Sequence, residues 1–380
     1  MKSETLQITA IAYGGDGVGR CADGRVCFVK GTLAGEVVKV AVTEEKKRFC
    51  RGVVQEIVVP SKERIEPACP LYGSCPGCAY MHCAYAEELK WKERQLADFL
   101  LRSKLADEDA LLPAVPSPEE LFYRNKLTLH KSADSEEYGY YGSDNTTVLV
   151  VEKCLLAKKE INSVLHNCSG KKALFRFTEK DGAVQVEPAS SVVLTETIPQ
   201  AGDFSVAADG FFQVNIPVAA ELIKLAASEI ETRELLELYC GVGVFSISLA
   251  EKIADLHCIG IELNKKAIEF ARSNAASHQV SDRCRFYAGD AGKMLKKFRP
   301  KGKFTLLIDP PRSGVEKSTL RNIVALKAEK IIYISCAADT LTRDLKELTA
   351  SGYRIKSSRV LDMFPRTAHF ETFTALEREP

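Results

Sequence analysis

The sequence lacks several features that would assign a function directly. Its basic and acidic side chains nearly cancel, giving a formal net charge of +1, so no global field attracts nucleic acid. No apolar run approaches the roughly 20 residues of a membrane-spanning helix, and the N-terminal stretch MKSETLQITA contains no apolar signal segment. We therefore expect a cytoplasmic protein without membrane association, whose contacts with any polymer depend on local patches.

Cysteine, by contrast, is abundant, with thirteen residues in a chain of 380. Reducing compartments keep thiols free, so we expect metal ligands, nucleophiles or small buried side chains rather than disulfides. Cys69, Cys75 and Cys78 lie close together with proline and glycine between them, which folds a loop around one centre. The candidates for a fourth ligand are His82, Cys83, Cys154 and Cys168.

Two kinds of metal centre compete for this loop. Zinc sites usually combine two C-x2-C pairs, and the loop has one such pair, Cys75 and Cys78. Iron–sulfur clusters accept three clustered cysteines with a remote fourth. The cysteine spacing of radical enzymes, three residues and then two, is absent from the loop.

Apolar patterning divides the chain into three parts. Residues 1–58 alternate short apolar runs with glycine turns, which predicts a small OB-like β-barrel. Residues 59–205 hold a helical pattern over 86–106 and then strand-like runs, which predicts a central, mostly-β domain. In residues 206–380, strands and helices alternate, which predicts a doubly wound, Rossmann-like α/β domain with a mostly parallel sheet.

Cys336 stands where such a sheet places its ligands. The apolar run 331–334 ends just before it and a helical pattern, LTRDLKEL, follows. Cys336 is therefore at the carboxyl end of a buried strand, the edge at which open α/β sheets bind ligands. A buried structural thiol is the more frequent occupant of such a position, but the residues at the neighbouring strand ends favour a nucleophile.

Four earlier strands end in residues suited to a nucleotide-like ligand. Gly241 and Gly243 follow the first strand and allow a tight turn with close approach of a ligand. Glu262 ends the second, about 20 residues on, as an acid for ribose hydroxyls should. Asp290 and Asp309 end the third and fourth. The first two signals suit NAD as well as S-adenosylmethionine, whereas the full series favours S-adenosylmethionine.

The N-terminal part, from IAYGGDGVGR to RGVVQEIVVPS, resembles the TRAM domain, an OB-like RNA-binding module. Barrels of this type bind single-stranded nucleic acid through basic and aromatic side chains. The candidates here are Lys30, Lys47, Arg48, Phe49 and Arg51.

The rest of the chain resembles the RNA 5-methyluridine (uracil-C5) methyltransferase family. The segments FFQVN, LYCGVG, DPPRSG, YISC and FPRTAHFE occur in the order of that family. The resemblance implies S-adenosylmethionine as methyl donor, Cys336 as nucleophile and Glu371 as base. It also implies donor-binding residues, which together with Gly241 are Gln213, Tyr239, Glu262, Asp290 and Asp309. The family commonly has Asn-Pro after the nucleophile, where this chain has Ala337-Ala338.

The cysteine loop has a counterpart in the same family. Its C-x5-C-x2-C spacing resembles the family's [4Fe–4S] loop, whose fourth ligand ends a segment much like VLVVEKC. The resemblance therefore implies a [4Fe–4S] cluster held by Cys69, Cys75, Cys78 and Cys154.

The implied reaction is methylation of uridine C5 in RNA through a covalent adduct between Cys336 and C6. The N-terminus of the following helix would favour the Cys336 thiolate, and partial burial would raise the pKa of Glu371 so that it can accept a proton. The barrel favours ribosomal RNA, particularly 23S rRNA, over transfer RNA as substrate. We expect a monomer that acts on RNA and not on DNA.

Two other functions are weighed against this one. An NAD-dependent iron–sulfur oxidoreductase would use the same glycine turn and the same cysteine loop. A catalytically idle RNA-binding protein would keep the barrel but would need neither Cys336 nor Glu371, and both residues are present.

Overall fold

The computed structural model describes residues 2–186, 191–297 and 302–379. Four short parts of the predicted domains lie outside the described residues: Met1, residues 187–190, residues 298–301 and Pro380.

The N-terminal part forms a six-stranded barrel, as the glycine-punctuated pattern predicts. Its strands are β1 Ser3–Gln7, β2 Ala10–Ile11, β3 Gly17–Arg20, β4 Val26–Val29, β5 Val37–Glu45 and β6 Phe49–Val59. Their order in the sheet is β1-β5-β6-β4-β3-β2. Because β1 and β2 are consecutive in the chain yet occupy the two ends of this order, the segment closes the sheet on itself. Alternating apolar residues such as Val38 and Val40 fill the interior.

A helix and a five-stranded antiparallel sheet follow. The elements are α1 Tyr85–Arg102, β7 Lys126–Lys131, β8 Tyr138–Tyr141, β9 Val148–Val150, α2 Lys159–Val164, β10 Lys172–Thr178 and β11 Gly182–Val186, with short 3-10 turns at Glu108–Ala110 and Leu165–Asn167. The strand order is β11-β10-β7-β8-β9. Helix α2 covers one face of this sheet, where Ile161 packs against Leu129 and Phe175.

The C-terminal part is a seven-stranded sheet with helices on both faces. A hairpin and a helix lead into it, with bounds β12 Val193–Ile198, β13 Gly202–Ala207 and α3 Ile216–Glu229. The sheet and its helices are β14 Glu234–Leu238, α4 Val244–Lys252, β15 His257–Glu262, α5 Lys265–Ser277, β16 Cys284–Ala288, α6 Ala291–Leu295, β17 Thr305–Ile308, α7 Lys317–Leu326, β18 Lys330–Ser335, α8 Ala338–Thr349, β19 Tyr353–Leu361 and β20 Glu371–Arg378.

The strand order of this sheet is β16-β15-β14-β17-β18-β20-β19. Strands β14 to β18 pair in parallel, while β20 runs antiparallel to both of its neighbours. Every residue of β17 and β18 is buried, as expected for central parallel strands covered on both faces. The predicted doubly wound fold is therefore confirmed, and β20 is its one antiparallel strand among the described residues.

The structure differs from the predicted domains in where α1 and the chain after it pack. Leu96 and Leu100 of α1 share an apolar core with the catalytic sheet. The Val115 amide then donates to the Val360 carbonyl of β19 at 2.9 Å. Part of the predicted central domain, 59–205, thus packs on the seven-stranded sheet of the C-terminal part. The sequence could not predict this, because helical periodicity shows that a face is apolar but not which surface it covers. Within the described ranges, no helix is long and apolar enough to span a membrane.

Gly260 in the middle of β15 offers a test of this packing. A Cβ atom there would lie 2.5 Å from the Phe286 ring and 2.8 Å from the Cys240 sulfur. We expect Gly260→Ala to destabilise the protein by about 1–3 kcal/mol through overpacking, measured as a lower thermal midpoint.

Gly302→Ala is the matched control, because a Cβ atom there meets nothing within 4 Å. Equal midpoints for the two variants would contradict the tight contact between β15 and β16.

Candidate active site

Cys336 and Glu371 lie at the ends of two adjacent strands. Strands β18 and β20 are antiparallel, with Ser335 opposite Thr372. The next pair in this register is Cys336 and Glu371, so the proposed nucleophile and base are neighbours across the sheet edge. Cys336 is partly buried, and Glu371 is 4% exposed. The structure thus brings the two predicted catalytic residues together.

The surroundings of the Cys336 thiol act on its pKa in opposite directions. Burial raises its pKa to about 11, the charge of Glu371 adds to this increase, and Arg312 opposes it by charge and by a hydrogen bond. Arg312, a residue that the sequence analysis did not assign, therefore favours the thiolate. Helix α8 begins at Ala338, whose amide donates to the Tyr13 hydroxyl at 3.3 Å, and the expected contribution of this helix to the thiolate stays a prediction.

Glu371 is held in an unusually dry position for a carboxylate. Burial, followed by the charge of Asp309, raises its pKa well above the ordinary value, while Arg312 lowers it. Its Oε1 atom has no hydrogen-bond partner among the described residues. Burial also raises the pKa of Asp309, which follows β17, to about 7. Two acids and one thiol with elevated pKa values therefore lie together, and Arg312 acts on Cys336 and Glu371, an arrangement typical of catalytic sites.

The loop that carries Arg312 is fixed from helix α8. The Thr340 hydroxyl donates to the Arg312 carbonyl at 3.0 Å, and the Arg343 guanidinium donates to the Ser313 carbonyl at 3.0 Å. Gly314 has a φ angle of 72°, and a Cβ atom there would lie 2.5 Å from the Arg343 side chain. The loop can therefore approach α8 closely only because this residue is glycine.

The N-terminal barrel reaches the same site through Tyr13. Besides accepting from Ala338, the Tyr13 ring makes edge-to-face contacts with Phe99 and Phe370, at centroid distances of 5.2 and 5.8 Å. Tyr13 keeps 36% of its surface exposed. No sequence signal could have indicated this contact, because it joins positions more than 300 residues apart.

The turn after β14 has the geometry of a pocket for a nucleotide-like ligand. Tyr239 adopts a left-handed conformation, with φ at 64°, and Gly241 and Gly243 have φ angles of 52° and 86°. The Gly241 amide donates to one Glu262 oxygen at 3.3 Å, and the Asn264 amide donates to the other at 2.8 Å. Strain of this kind in a non-glycine residue is common at binding sites. Three predicted donor-binding residues, Tyr239, Gly241 and Glu262, thus lie together at this turn.

The two remaining donor-pocket candidates have structural roles as well. Asp290 is exposed and caps α6, accepting from the Lys293 amide at 2.9 Å. The backbone carbonyl of Gln213 accepts from the Asn125 side chain at 3.2 Å. Asp290 lies beyond the carboxyl end of β16, on the same sheet edge as Glu262 and Asp309.

The strand order also bears on the choice between NAD and S-adenosylmethionine. NAD-binding sheets of the common type order six parallel strands as 3-2-1-4-5-6. Here an antiparallel strand, β20, is inserted after the fifth position. Ser246 occupies the position of the third glycine in a G-x-G-x-x-G turn, and it hydrogen-bonds to Glu237. Both observations weigh against NAD.

The four predicted cluster ligands line one cavity. Cys69, Cys75, Cys78 and Cys154 all face it, together with Tyr72, Met81, Tyr140 and Leu156. The Cys154 turn is held by Asn162, which accepts from the Cys154 amide at 2.8 Å and donates to the Cys154 carbonyl at 3.0 Å. Two other fourth-ligand candidates pack elsewhere: Cys83 with the core beneath the barrel, and Cys168 beside the central sheet.

The thiols of the cysteine loop and Cys154 lie further apart than the ligands of one zinc ion. No three of the four lie within 4.8 Å of one another, as judged over the part of the chain that the structure describes. Around one tetrahedral zinc ion, sulfur atoms are about 3.8 Å apart. Burial and the other cysteines raise the pKa of Cys78.

A second group of thiols lies inside the barrel and was not predicted. Cys21, Cys27 and Cys50 are buried with their sulfur atoms within 4.8 Å of one another. The Cys21 and Cys50 sulfurs are 3.0 Å apart. The Cys21–Cys50 separation is shorter than the roughly 3.8 Å between two sulfur ligands of one zinc ion, and the surroundings are the apolar barrel core.

Comparisons with known proteins agree with this architecture. The TRAM domain model matches residues 2–54, and the tRNA (Uracil-5-)-methyltransferase model matches residues 200–379. An RNA methyltransferase of Aquifex aeolicus is 30% identical over 99% of each chain. The 23S rRNA (uracil(1939)-C(5))-methyltransferase RlmD of Shewanella sediminis is 28% identical over 98% of this chain and 95% of its own.

Among solved structures, the same arrangement is found over the whole chain. The tRNA (uracil-54, C5)-methyltransferase of Pyrococcus abyssi, in complex with S-adenosyl-L-homocysteine, matches with a TM-score of 0.74 at 23% sequence identity. The match covers 98% of this chain and 99% of that one. It supports the fold of all three parts.

The raised pKa of Cys336 predicts how its reactivity depends on pH. Since only the thiolate is nucleophilic, and the pKa is about 11, alkylation of Cys336 by iodoacetamide should accelerate about tenfold per pH unit between about pH 7.5 and 9.5. Mass spectrometry of the peptide containing Cys336 measures the rate. A plateau below pH 8 would show that the thiol is already ionised.

Arg312→Met should slow this alkylation at every pH, because it removes the cation that favours the thiolate. Arg321→Met, an exposed arginine on α7, is the matched control and should leave the rate unchanged.

Proposed function

Because this chain belongs to the RNA (uracil-5-)-methyltransferase family, we propose that it transfers a methyl group from S-adenosylmethionine to C5 of a uridine in RNA. The observation that carries the proposal is the opposition of Cys336 and Glu371 at the ends of β18 and β20. Uracil C5 is a weak nucleophile, so its methylation needs a thiol to activate the ring and a base to remove the C5 proton. The site supplies both from neighbouring strands.

The first step concerns the thiol. The Cys336 thiolate adds to C6 of the uracil ring, forming a carbon–sulfur bond and giving C5 the character of an enolate carbon. Arg312 hydrogen-bonds to the thiol and lowers its pKa, so it favours the ionised form at the moment of attack. The donor, when bound, would supply an electrophilic methyl group: C5 would form a bond to that carbon as its bond to the sulfonium sulfur breaks, leaving S-adenosylhomocysteine.

The second step concerns the carboxylate. Glu371 accepts the C5 proton, the C5–C6 double bond forms again, and the carbon–sulfur bond breaks to return the Cys336 thiolate. Once the Cys336 sulfur is bonded to C6, it carries no charge. It therefore no longer disfavours a negative charge on Glu371. Arg312, which lowers the pKa of Glu371, then favours the ionised carboxylate that serves as base.

We assign donor binding to the edge of the sheet where β14 to β17 end. The residues are Gln213, Tyr239, Gly241, Glu262, Asp290 and Asp309. The backbone turn at Gly241 leaves room for close approach, because a Cβ atom there would meet nothing within 4 Å. Glu262 is a candidate acceptor for ribose hydroxyls.

The substrate that we propose is large ribosomal RNA, with transfer RNA as the second candidate. The target base must leave its stack to reach Cys336, which costs least in loops and single-stranded segments. The barrel offers a further surface for RNA beside the site, which favours a large, structured RNA as substrate. The Shewanella sediminis relative acts on 23S rRNA, and the Pyrococcus abyssi enzyme acts on transfer RNA.

We further propose that Cys69, Cys75, Cys78 and Cys154 bind a [4Fe–4S] cluster, since all four line one cavity. Methyl transfer requires no electron transfer, so the cluster would order the loop between the barrel and α1 and tie it to the Cys154 turn beside the central sheet. We also propose that the protein acts as a monomer. The free state of all thirteen cysteines is suited to the reducing cytoplasm.

Substitution of the two catalytic residues should give different products. Cys336→Ala should abolish both methylation and covalent capture by RNA containing 5-fluorouridine. Glu371→Gln should form the adduct, methylate C5 and then stall, so that a protein–RNA adduct resistant to denaturation accumulates on ordinary RNA. Denaturing gels and incorporation of labelled methyl groups into ribosomal and transfer RNA measure these outcomes. Covalent capture that persists in Cys336→Ala would overturn the assignment of the nucleophile.

The cluster assignment predicts the metal content of the protein. Anaerobic preparations should contain about four iron and four sulfide per chain, and Cys154→Ser should lose most of both. Cys168→Ser is the matched control and should keep them, because Cys168 does not line the cavity. Stoichiometric zinc in place of iron would refute the cluster.

A further inference from the structure

We propose that Arg366 is a positioning residue that ties the loop carrying Glu371 to the cysteine loop, so that the cysteine loop sets the position of the base. The inference rests on the proposed function. Residues 362–370 form no regular helix or strand, yet they must place Glu371 at the first position of β20. Something outside the loop must therefore hold it.

The backbone of Arg366 makes the first connection. Its carbonyl accepts hydrogen bonds from the amides of Ala79 and Tyr80, at 2.9 and 3.0 Å. These two residues directly follow the proposed cluster ligand Cys78. Arg366 has a φ angle of 68°, a conformation that costs energy in a residue other than glycine and persists only where the surroundings impose it.

The guanidinium of Arg366 makes the second connection. It is buried, and it donates to the carbonyls of Cys83 and Tyr80 at 2.6 and 3.4 Å. It also pairs with Glu120 and lies 5.4 Å from the centre of the Tyr85 ring. The side chain thus reaches back across the whole segment from Tyr80 to Tyr85, where the cysteine loop joins α1.

Buried charges on α1 hold the remainder of the catalytic loop. One Glu88 oxygen accepts from the Arg366 amide at 2.7 Å. Lys92 donates to the same Glu88 oxygen and to Asp362, at 2.7 Å each, and to the Phe364 carbonyl at 3.3 Å. Breaking such a buried network leaves charges without partners, which is costly. The loop therefore has little freedom as long as Arg366 and α1 keep their places.

The consequence is specific to one step of the reaction. Cys336 follows a central strand of the sheet and precedes α8, so its position does not depend on Arg366. Glu371 depends on a loop that is anchored beside Cys78. Loosening that anchor should leave adduct formation intact and slow removal of the C5 proton, because small displacements of a catalytic group cost up to about 100-fold in rate.

The test uses Arg366→Asn in the full chain, since asparagine tolerates a positive φ angle and removes only the guanidinium. We expect turnover to fall about 10- to 100-fold, with accumulation of the protein–RNA adduct, while iron content stays at the wild-type level. Hydrogen exchange over residues 362–371, followed by mass spectrometry, should become faster. Arg354→Asn, an exposed arginine on β19, should change none of these.

Tyr123→Phe provides a milder variant, because the Tyr123 hydroxyl donates to the Pro365 carbonyl of the same loop at 3.0 Å. It should also accumulate the adduct, to a smaller extent. Wild-type protein stripped of its iron by anaerobic chelation should show the same faster exchange over residues 362–371. Unchanged exchange in both the stripped protein and Arg366→Asn would overturn the proposal.

Glu371→Gln separates this inference from the function on which it rests. Adduct accumulation in Glu371→Gln but not in Arg366→Asn or Tyr123→Phe would refute the role of Arg366 alone. Absence of the adduct in all three variants, with Cys336 intact, would refute the proposed reaction itself.

Discussion

The candidate site depends on one irregularity of the sheet, the antiparallel strand β20 between β18 and β19. If β20 were parallel to β18, its last residue would lie at this edge of the sheet, and its first residue, Glu371, would lie at the opposite edge. Because β20 runs the other way, its first residue, Glu371, meets the last residues of β18. Reversal of one strand therefore places a residue near the C-terminus of the chain at the edge where the sheet binds ligands.

The proposed nucleophile and base are supported by different means. Cys336 is fixed by the sheet and by α8, which also holds the Arg312 loop through Thr340 and Arg343. Glu371 is supported from outside the sheet, by a loop that contacts α1 and the cysteine loop. The barrel, through Tyr13, and the cysteine loop thus both contact the C-terminal part close to these two residues.

The sequence predicted the parts of this arrangement that depend on local pattern. Alternation of strands and helices predicted the α/β domain, and glycine turns predicted the barrel. The close spacing of Cys69, Cys75 and Cys78 predicted a loop folded around one centre. The contributions of Tyr13, Arg312 and the packing of α1 were missed because they arise from contacts between distant segments. The first amide of α8 likewise has a partner from the barrel, and the activation of Cys336 by this helix stays a prediction.

The contact of Tyr13 with α8 gives the barrel a structural role at the candidate site. The Tyr13 hydroxyl accepts from the first amide of α8, a group that has no partner within its own helix. A catalytic half separated from its barrel would expose that amide, and the rings of Phe99 and Phe370, to water. Besides the RNA surface that we propose for it, the barrel is therefore part of the wall of the candidate site, and another module in its place would have to supply a partner for this amide.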